Sequence, residues 1–213
     1  MAAAGEAEAQ EAKETGQPVT SLSSEFKPLM SLYLTDSTTP EEIKIAKASG
    51  FVYACKLYPA GATTNSANGV TNIQALQTTL EAMAEEGILL LIHGEVVDND
   101  VDIFDREAEF LNTKMRWIVD SVPNLKIVLE HATTKAAVDF VNSCGPNVAA
   151  TLTAHHLLYN RNALFRPCLD PHLFCLPVVK TEVDRKALVH SPCLLTTHPH
   201  TLTLSLSLAQ HPE

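Results

Sequence analysis

Apolar residues in the middle of the chain form short continuous runs, and segments with helical spacing lie between these runs. Four to eight apolar residues in succession are typical of a strand in a parallel sheet that is covered on both faces. Five such runs predict strands at 29–34, 51–56, 88–93, 126–131 and 148–153. The alternation of strand and helix predicts an α/β fold.

Four helices are predicted between these strands. Thr39 followed by Pro40 predicts a capped helix that ends at Gly50, and Thr71 is predicted to cap a second helix that ends at Gly87. Apolar side chains at helical spacing mark the third and fourth helices: Phe104, Ala108, Leu111, Met115 and Ile118, then Ala137, Val138 and Val141. Repeated crossovers of this kind build either an open doubly wound sheet or a closed (β/α)₈ barrel, of which five strands are visible here.

The two ends of the chain have a different composition from its middle. Residues 1–25 are acidic and almost without large apolar side chains, which predicts a disordered tail. Residues 191–213 are rich in Leu, Thr, Ser, His and Pro, and we interpret them as a low-complexity tail. The predicted domain organisation is therefore a folded unit at 26–190 between two tails.

Charge and cysteine content restrict the class of partner. A net charge of −10 argues against a nucleic-acid or anionic-membrane partner, because both are bound through clustered Lys and Arg. Five cysteines without a C-x-x-C pair do not indicate a disulfide framework. The apolar runs are too short to cross a bilayer. We expect an intracellular protein, cytoplasmic or, if a native N-terminal segment is missing, plastid or mitochondrial.

Three predicted strands end in a residue that can reach a metal ion: Lys56, His93 and His131. The carboxyl ends of parallel strands meet at one rim of the fold, so these side chains are expected to converge. A single histidine at a strand end is more often a packing or capping residue, and a lysine there usually extends to solvent. The pattern alone leaves metal binding and packing equally open.

Several motifs, in order along the chain, resemble the dihydroorotase family. They are Leu-Tyr-Leu-Thr-Asp at 32–36, Lys-Leu-Tyr-Pro-Ala-Gly-Ala-Thr-Thr-Asn at 56–65, His-Gly-Glu-Val at 93–96, Asp-Ile-Phe-Asp-Arg-Glu at 102–107, Glu-His-Ala-Thr-Thr at 130–134, Asn-Arg-Asn at 160–162, Pro-His at 171–172 and Cys-Leu-Pro at 175–177. The resemblance implies a partial TIM-type (β/α)₈ barrel with about five to six βα units.

The resemblance also implies roles for particular residues. Lys56 matches the lysine that is carboxylated and bridges two zinc ions, and His93 and His131 match the two histidines of the more exposed zinc. His93, the backbone of Leu176, and the loop residues Thr63 and Thr64 match positions that contact the substrate. The implied enzyme is a zinc-dependent hydrolase that interconverts carbamoyl aspartate and dihydroorotate in de novo pyrimidine biosynthesis. Its implied partner is a small-molecule substrate, and homo-oligomerisation is left open.

Other parts of the family pattern have no counterpart in this sequence. These are a His-x-His pair with a following Arg and Asn before the matched stretch, and a Gly-Thr-Asp-Ser segment with the catalytic Asp after it. His198 and His200 form the one His-x-His here, but no apolar strand precedes them. We therefore predict no catalytic residue and expect a chain truncated at both ends, with impaired activity. Two alternatives stay open: a non-catalytic isoform or partial barrel that packs on a full-length homologue, and a related hydantoinase or allantoinase.

Overall fold

A computed structural model describes residues 28–191 and the pair 203–204. The predicted tail at 1–25 lies outside the described residues, and so does most of the predicted tail at 191–213. No helix in the described part of the chain is long and apolar enough to span a membrane.

The described strands form one sheet in sequence order, and every neighbouring pair is parallel. Five of them confirm the predicted strands, with ends that differ by at most one residue. A sixth strand of two residues lies beside the fifth. The strands are β1 Met30–Leu34, β2 Val52–Leu57, β3 Leu89–His93, β4 Ile127–Glu130, β5 Val148–Leu152 and β6 Thr203–Leu204.

Helices connect the first five strands and extend beyond them. The third predicted helix is continuous from α3 to α4 through a π-helical turn, Leu111–Met115. The helices are α1 Pro40–Ala48, α2 Gln77–Glu86, α3 Arg106–Phe110, α4 Arg116–Ser121, α5 Lys135–Ser143, α6 Ala154–Leu158 and α7 Glu182–Val189. Short 3₁₀ turns at Ile73–Leu76, Arg161–Phe165 and Pro171–Leu173 complete the described structure.

The helix ends confirm most of the predicted caps. Thr39 caps α1 in a reciprocal pair with Glu42: the Glu42 amide donates to the Thr39 hydroxyl and the Thr39 amide donates to the Glu42 carboxylate. Gly87 ends α2 in the left-handed conformation, with φ of 66°.

The predicted cap at Thr71 is wrong. Asn72 caps the 3₁₀ turn that precedes α2. Thr71 instead donates its amide and its hydroxyl to the carboxylate of Asp36, at 2.9 and 2.7 Å. A carboxylate distant in sequence thus replaces the local capping role, which sequence spacing does not reveal.

One face of the sheet is buried beneath the helices. Leu57, Leu90, Ile92 and Leu129 point toward this face, and each is fully buried in the same apolar cluster as the helix residues Leu80, Met83, Phe110, Leu111, Met115 and Ile118. On the opposite face, Lys56, Leu91, Val128 and Thr151 are half-buried. The prediction that both faces are covered therefore holds for one face of the described sheet, and the other carries the candidate site.

Candidate metal-binding site

The structure brings Lys56, His93 and His131 to the carboxyl end of the sheet. Lys56 lies opposite Leu91 in β3, His93 is the last residue of β3, and His131 directly follows β4. The rings of His93 and His131 meet edge to face with centroids 4.8 Å apart. Tyr58 connects the lysine to this pair, because Lys56 Nζ lies 4.7 Å from its ring centroid and the His93 ring lies 5.8 Å from it.

His93 is held through its side chain. It is buried, and its Nε2 lies 2.8 Å from Oε2 of Glu95. An ionised carboxylate only accepts hydrogen bonds, so this contact places the proton of a neutral imidazole on Nε2 and leaves a lone pair on Nδ1. Gly94 makes the turn between them possible, because a Cβ at this position would lie 2.5 Å from Cδ1 of Leu129.

His131 is held through its backbone. Its φ of 44° is in the left-handed region, its amide donates to the Thr151 hydroxyl at 2.8 Å, and its ring Nδ1 is buried without a hydrogen-bond partner. Burial lowers the pKa of His131 well below its usual value, and electrostatic interaction with His93 and Lys56 lowers it further. A neutral imidazole with an unpartnered nitrogen suits a metal ligand.

Lys56 is the third member of the group. Burial lowers the pKa of its amine, against the opposing attraction and hydrogen bond of Glu130, with which it forms an ion pair. No group of three or more His, Cys, Asp or Glu side chains in the described part of the chain is arranged to hold a metal ion. The two histidine rings and the Lys56 amine are the candidate ligands that the described residues bring together here.

The predicted substrate-contacting threonines lie on a separate loop. This loop follows β2 and is closed by a bridge between Pro59 and Val70. Thr63 is half-buried and bonds to Ser66 through both its amide and its carbonyl, whereas Thr64 is exposed. The hydrogen bonds of Thr63 thus stay within the loop and do not reach the histidines.

Leu176 lies on a segment that passes beside the site. The next residue, Pro177, accepts a hydrogen bond from Nε2 of His156 at 2.9 Å. Burial raises the pKa of the neighbouring Cys175 thiol, and the charge of Glu95 raises it further. The segment therefore runs near Glu95.

Four charged residues around the site were not assigned from sequence: Glu95, Glu107, Glu130 and Lys180. Glu95, Glu107 and Lys180 are buried. Helical spacing could have identified Glu107, because it precedes the buried Leu111 by four positions. No sequence signal marks Lys180, which follows the apolar pair Val178 and Val179.

A cavity of about 490 Å³ lies next to the strand ends, between the loop after β2 and the loop after β3. Pro59, Val70, Glu95 and Val101 are among its lining residues. Lys56, His93 and His131 do not line it. The cavity thus adjoins the site through Glu95 without containing the candidate ligands.

The chain is similar in sequence to bacterial dihydroorotases. It is 61% identical over 164 residues to the dihydroorotase of Psychromonas ingrahamii, a match that covers 77% of this chain and 48% of the relative. It is 59% identical over 169 residues to the dihydroorotase of Aliivibrio fischeri, covering 79% and 49%. The chain thus spans about half the length of the curated relatives it matches. No family model matches it.

Solved structures agree with the sequence relatives. The dihydroorotase of Campylobacter jejuni superposes with a TM-score of 0.74 at 36% identity, over 87% of this chain and 52% of that one. The Saccharomyces cerevisiae dihydroorotase in complex with 5-fluoroorotic acid gives 0.72 at 35%, over 88% and 54%. A D-hydantoinase from Bacillus sp. AR9 gives 0.62 at 16%, over 74% and 39%, and shares the fold alone. Identity of this extent, with the shared partial barrel, shows that the chain belongs to the dihydroorotase family of cyclic amide hydrolases.

Proposed function

We propose that this chain supplies the Lys56, His93 and His131 portion of a dihydroorotase active site, which interconverts carbamoyl aspartate and dihydroorotate. The observation that carries the proposal is the meeting of His93 and His131, 4.8 Å apart, beside the ion pair of Lys56 with Glu130. The substrate class comes from the dihydroorotases that match the chain at about 60% identity.

The proposed ligands are suited to zinc. His93 would bind through Nδ1, since Nε2 is engaged by Glu95, and His131 would bind as a neutral imidazole. When bound, zinc would polarise the amide carbonyl and lower the pKa of water toward neutrality.

Lys56 needs a chemical change before it can serve as a ligand. Its neutral amine would attack carbon dioxide: a nitrogen–carbon bond forms as one carbon–oxygen π bond opens onto oxygen, the nitrogen releases a proton to solvent, and the product is a carbamate anion. The burial that lowers the pKa of Lys56 favours the neutral amine that this step requires. The carbamate would be an anion beside the Glu130 carboxylate, so the ion pair of Lys56 with Glu130 would be lost. Bound cations would then have to balance the two negative charges.

The substrate contacts are proposed for His93, the Leu176 backbone, Thr63 and Thr64. His93 lies at the centre of the site, and the Leu176 segment passes beside Glu95. The yeast relative was solved with 5-fluoroorotic acid, a planar ring acid, which is a suitable probe for these positions. No described residue is proposed as the catalytic acid or base.

Zinc content and turnover of the purified full chain test the proposal. After zinc and bicarbonate are added, we expect His93→Asn, His131→Asn and Lys56→Ala each to weaken zinc binding at least about tenfold. His190→Asn and Lys44→Ala are matched controls because both residues are exposed on the surface, and they are expected to bind zinc as the unaltered chain does. A carbamate carbon signal from labelled bicarbonate is expected in the unaltered chain and not in Lys56→Ala.

Zinc affinity equal in all variants would refute the proposed ligands. Hydrolysis of hydantoin or allantoin in preference to dihydroorotate would instead support the alternative substrate class.

One observation favours the non-catalytic alternative as a second candidate. Leu29, Met30, Leu32 and Tyr33 are exposed at β1, which pairs only with β2 in the described part of the chain. An uncovered strand edge with apolar side chains favours packing against another chain. Sedimentation of the chain with and without a full-length dihydroorotase tests this candidate: complex formation without zinc uptake by this chain would support it.

A further inference from the structure

Glu107 on α3 has a buried carboxylate for which the proposed function has no role. The residue is 1% exposed. Four donors surround its two oxygens. They are the amide of Thr133 at 3.0 and 3.1 Å, the hydroxyl of Thr133 at 2.9 Å, the amide of Thr134 at 2.8 Å and the hydroxyl of Thr134 at 2.6 Å. A buried carboxylate persists when hydrogen bonds replace its lost hydration, and this one is saturated by a single pair of residues.

This pair of residues follows His131 after one intervening alanine. The His131 amide donates to the Thr151 hydroxyl at 2.8 Å, and the Ala132 amide donates to the Thr151 carbonyl at 2.9 Å. Each of the four amides from His131 to Thr134 is therefore bonded, the first two to β5 and the last two to Glu107. The segment from His131 to Thr134 is therefore held by hydrogen bonds to β5 and to Glu107.

These hydrogen bonds explain the backbone conformation of His131. A non-glycine residue rarely adopts a left-handed φ such as the 44° of His131, and this conformation persists only where the surroundings impose it. Thr134 also caps α5, with its hydroxyl accepting from the Ala137 amide at 3.0 Å. Glu107 thus connects α3 to the start of α5 and to the loop that begins at His131.

We propose that Glu107 is a positioning residue, which holds the loop from His131 to Thr134 in the strained conformation that places the His131 imidazole beside His93. The inference rests on the proposed function only in giving His131 a metal-binding role. The positioning itself rests on hydrogen bonds between Glu107 and the loop.

Lys180 supplies a positive charge to this arrangement. It is 4% exposed, and its ammonium donates to the Val178 carbonyl at 2.8 Å. Burial lowers the pKa of Lys180, and the attraction of Glu107 and Glu95 opposes this effect. The Lys180 amine therefore interacts electrostatically with both the carboxylate that holds the His93 ring and the carboxylate that holds the His131 loop.

Glu107→Gln tests the proposal, because the amide keeps the size of the side chain but replaces one accepting oxygen with a donor. The matched control is Glu109→Gln, which removes an exposed charge from the same helix. In zinc-free full-length chain, we expect Glu107→Gln to increase the hydrogen-exchange rate of the Thr133 and Thr134 amides at least about tenfold and to shift the His131 ring resonances. Zinc affinity is expected to fall by about 10- to 100-fold. Glu109→Gln is expected to match the unaltered chain.

A second pair of variants keeps the test decisive if Glu107→Gln does not fold. Thr133→Val removes one hydroxyl donor to Glu107 without changing the side-chain shape, and Thr133→Ser restores that donor. We expect Thr133→Val to shift the His131 resonances and Thr133→Ser to return them toward their original positions.

His131 resonances that are unchanged in both Glu107→Gln and Thr133→Val would overturn the proposal. If the unaltered chain binds no zinc, the proposed function fails, while the zinc-free spectra still decide whether Glu107 positions His131.

Discussion

The strand ends at His93 and His131 present neighbouring imidazoles by different means. At the end of β3, Glu95 holds the His93 ring directly, and Gly94 lets the chain turn tightly against Leu129. One residue beyond β4, His131 has a left-handed backbone and a ring nitrogen without a hydrogen-bond partner. The first ring is fixed by a side-chain hydrogen bond, and the second by the backbone that carries it.

The difference determines which substitutions each strand end tolerates. The His93 end is limited by space, because the chain passes close to a fully buried leucine. The His131 end is limited by backbone conformation, because few residues other than glycine, asparagine and aspartate favour a positive φ. A substitution that adds volume should therefore perturb the His93 end. A substitution that changes the preferred backbone conformation should perturb the His131 end.

The largest expected effect is that of Gly94→Ala. The new Cβ would lie 2.5 Å from Leu129 Cδ1 and 3.6 Å from Phe110 Cδ1, and both side chains are fully buried, so Leu129 has to shift within a packed core. Overpacking of this kind costs about 1 to 3 kcal/mol. Urea denaturation followed by circular dichroism measures the loss.

Gly145→Ala is the matched control. A Cβ at Gly145 would meet no heavy atom within 4 Å, so stability is expected to change by less than about 0.5 kcal/mol. Equal losses in the two variants would mean that close approach does not limit the His93 end.

A smaller effect, with opposite signs at the two ends, is expected for alanine and glycine substitutions. At a left-handed position Ala is strained and Gly is not, so His131→Gly is expected to be more stable than His131→Ala by about 1 kcal/mol. In the regular strand the order reverses, and His93→Ala is expected to be more stable than His93→Gly by about 0.5 to 1 kcal/mol.

Denaturation midpoints of the four variants measure both differences. Each pair removes the same imidazole, so loss of its contacts cancels within the pair. If alanine were the more stable residue at both positions, the backbone would not distinguish the two strand ends.

Much of the fold could be predicted from the sequence, because its signals are local. Continuous apolar runs identified β1 to β5, and Thr39 with Gly87 identified helix ends. The Thr71 cap failed because Asp36, 35 residues away in sequence, binds that threonine. The uncovered sheet face could not be predicted either. An apolar residue in a strand looks the same in the sequence whether or not another element packs against it in the structure.

The site was predictable only in part. Lys56, His93 and His131 were expected to lie together because the carboxyl ends of parallel strands lie at one edge of the sheet. Their roles stay proposals. Glu95 and Lys180 could not be assigned, because their burial depends on contacts between segments far apart in sequence.

An effect of similar size concerns a third histidine, which is bonded at both ring nitrogens. His156 Nδ1 lies 2.5 Å from the Thr153 hydroxyl, and Nε2 lies 2.9 Å from the Pro177 carbonyl. Burial, the charge of His155 and that of Lys180 lower the pKa of His156 to about 3. Because the unfolded chain binds this proton more readily, the stability supplied by neutral His156 is complete above the unfolded pKa of 6.5 and is lost as the pH falls from there toward 3.

Between about pH 7 and pH 5.5 this loss amounts to about 1 kcal/mol. His156→Gln, which keeps an amide donor for the Pro177 carbonyl, is expected to reduce the pH dependence by that amount. A remainder is expected because the pKa of His131 is lowered in the same direction. Urea midpoints at the two pH values measure the change, with His190→Asn as the exposed-histidine control. The same pH dependence in His156→Gln and in the unaltered chain would show that the buried imidazole of His156 is not what makes acid destabilising in this range.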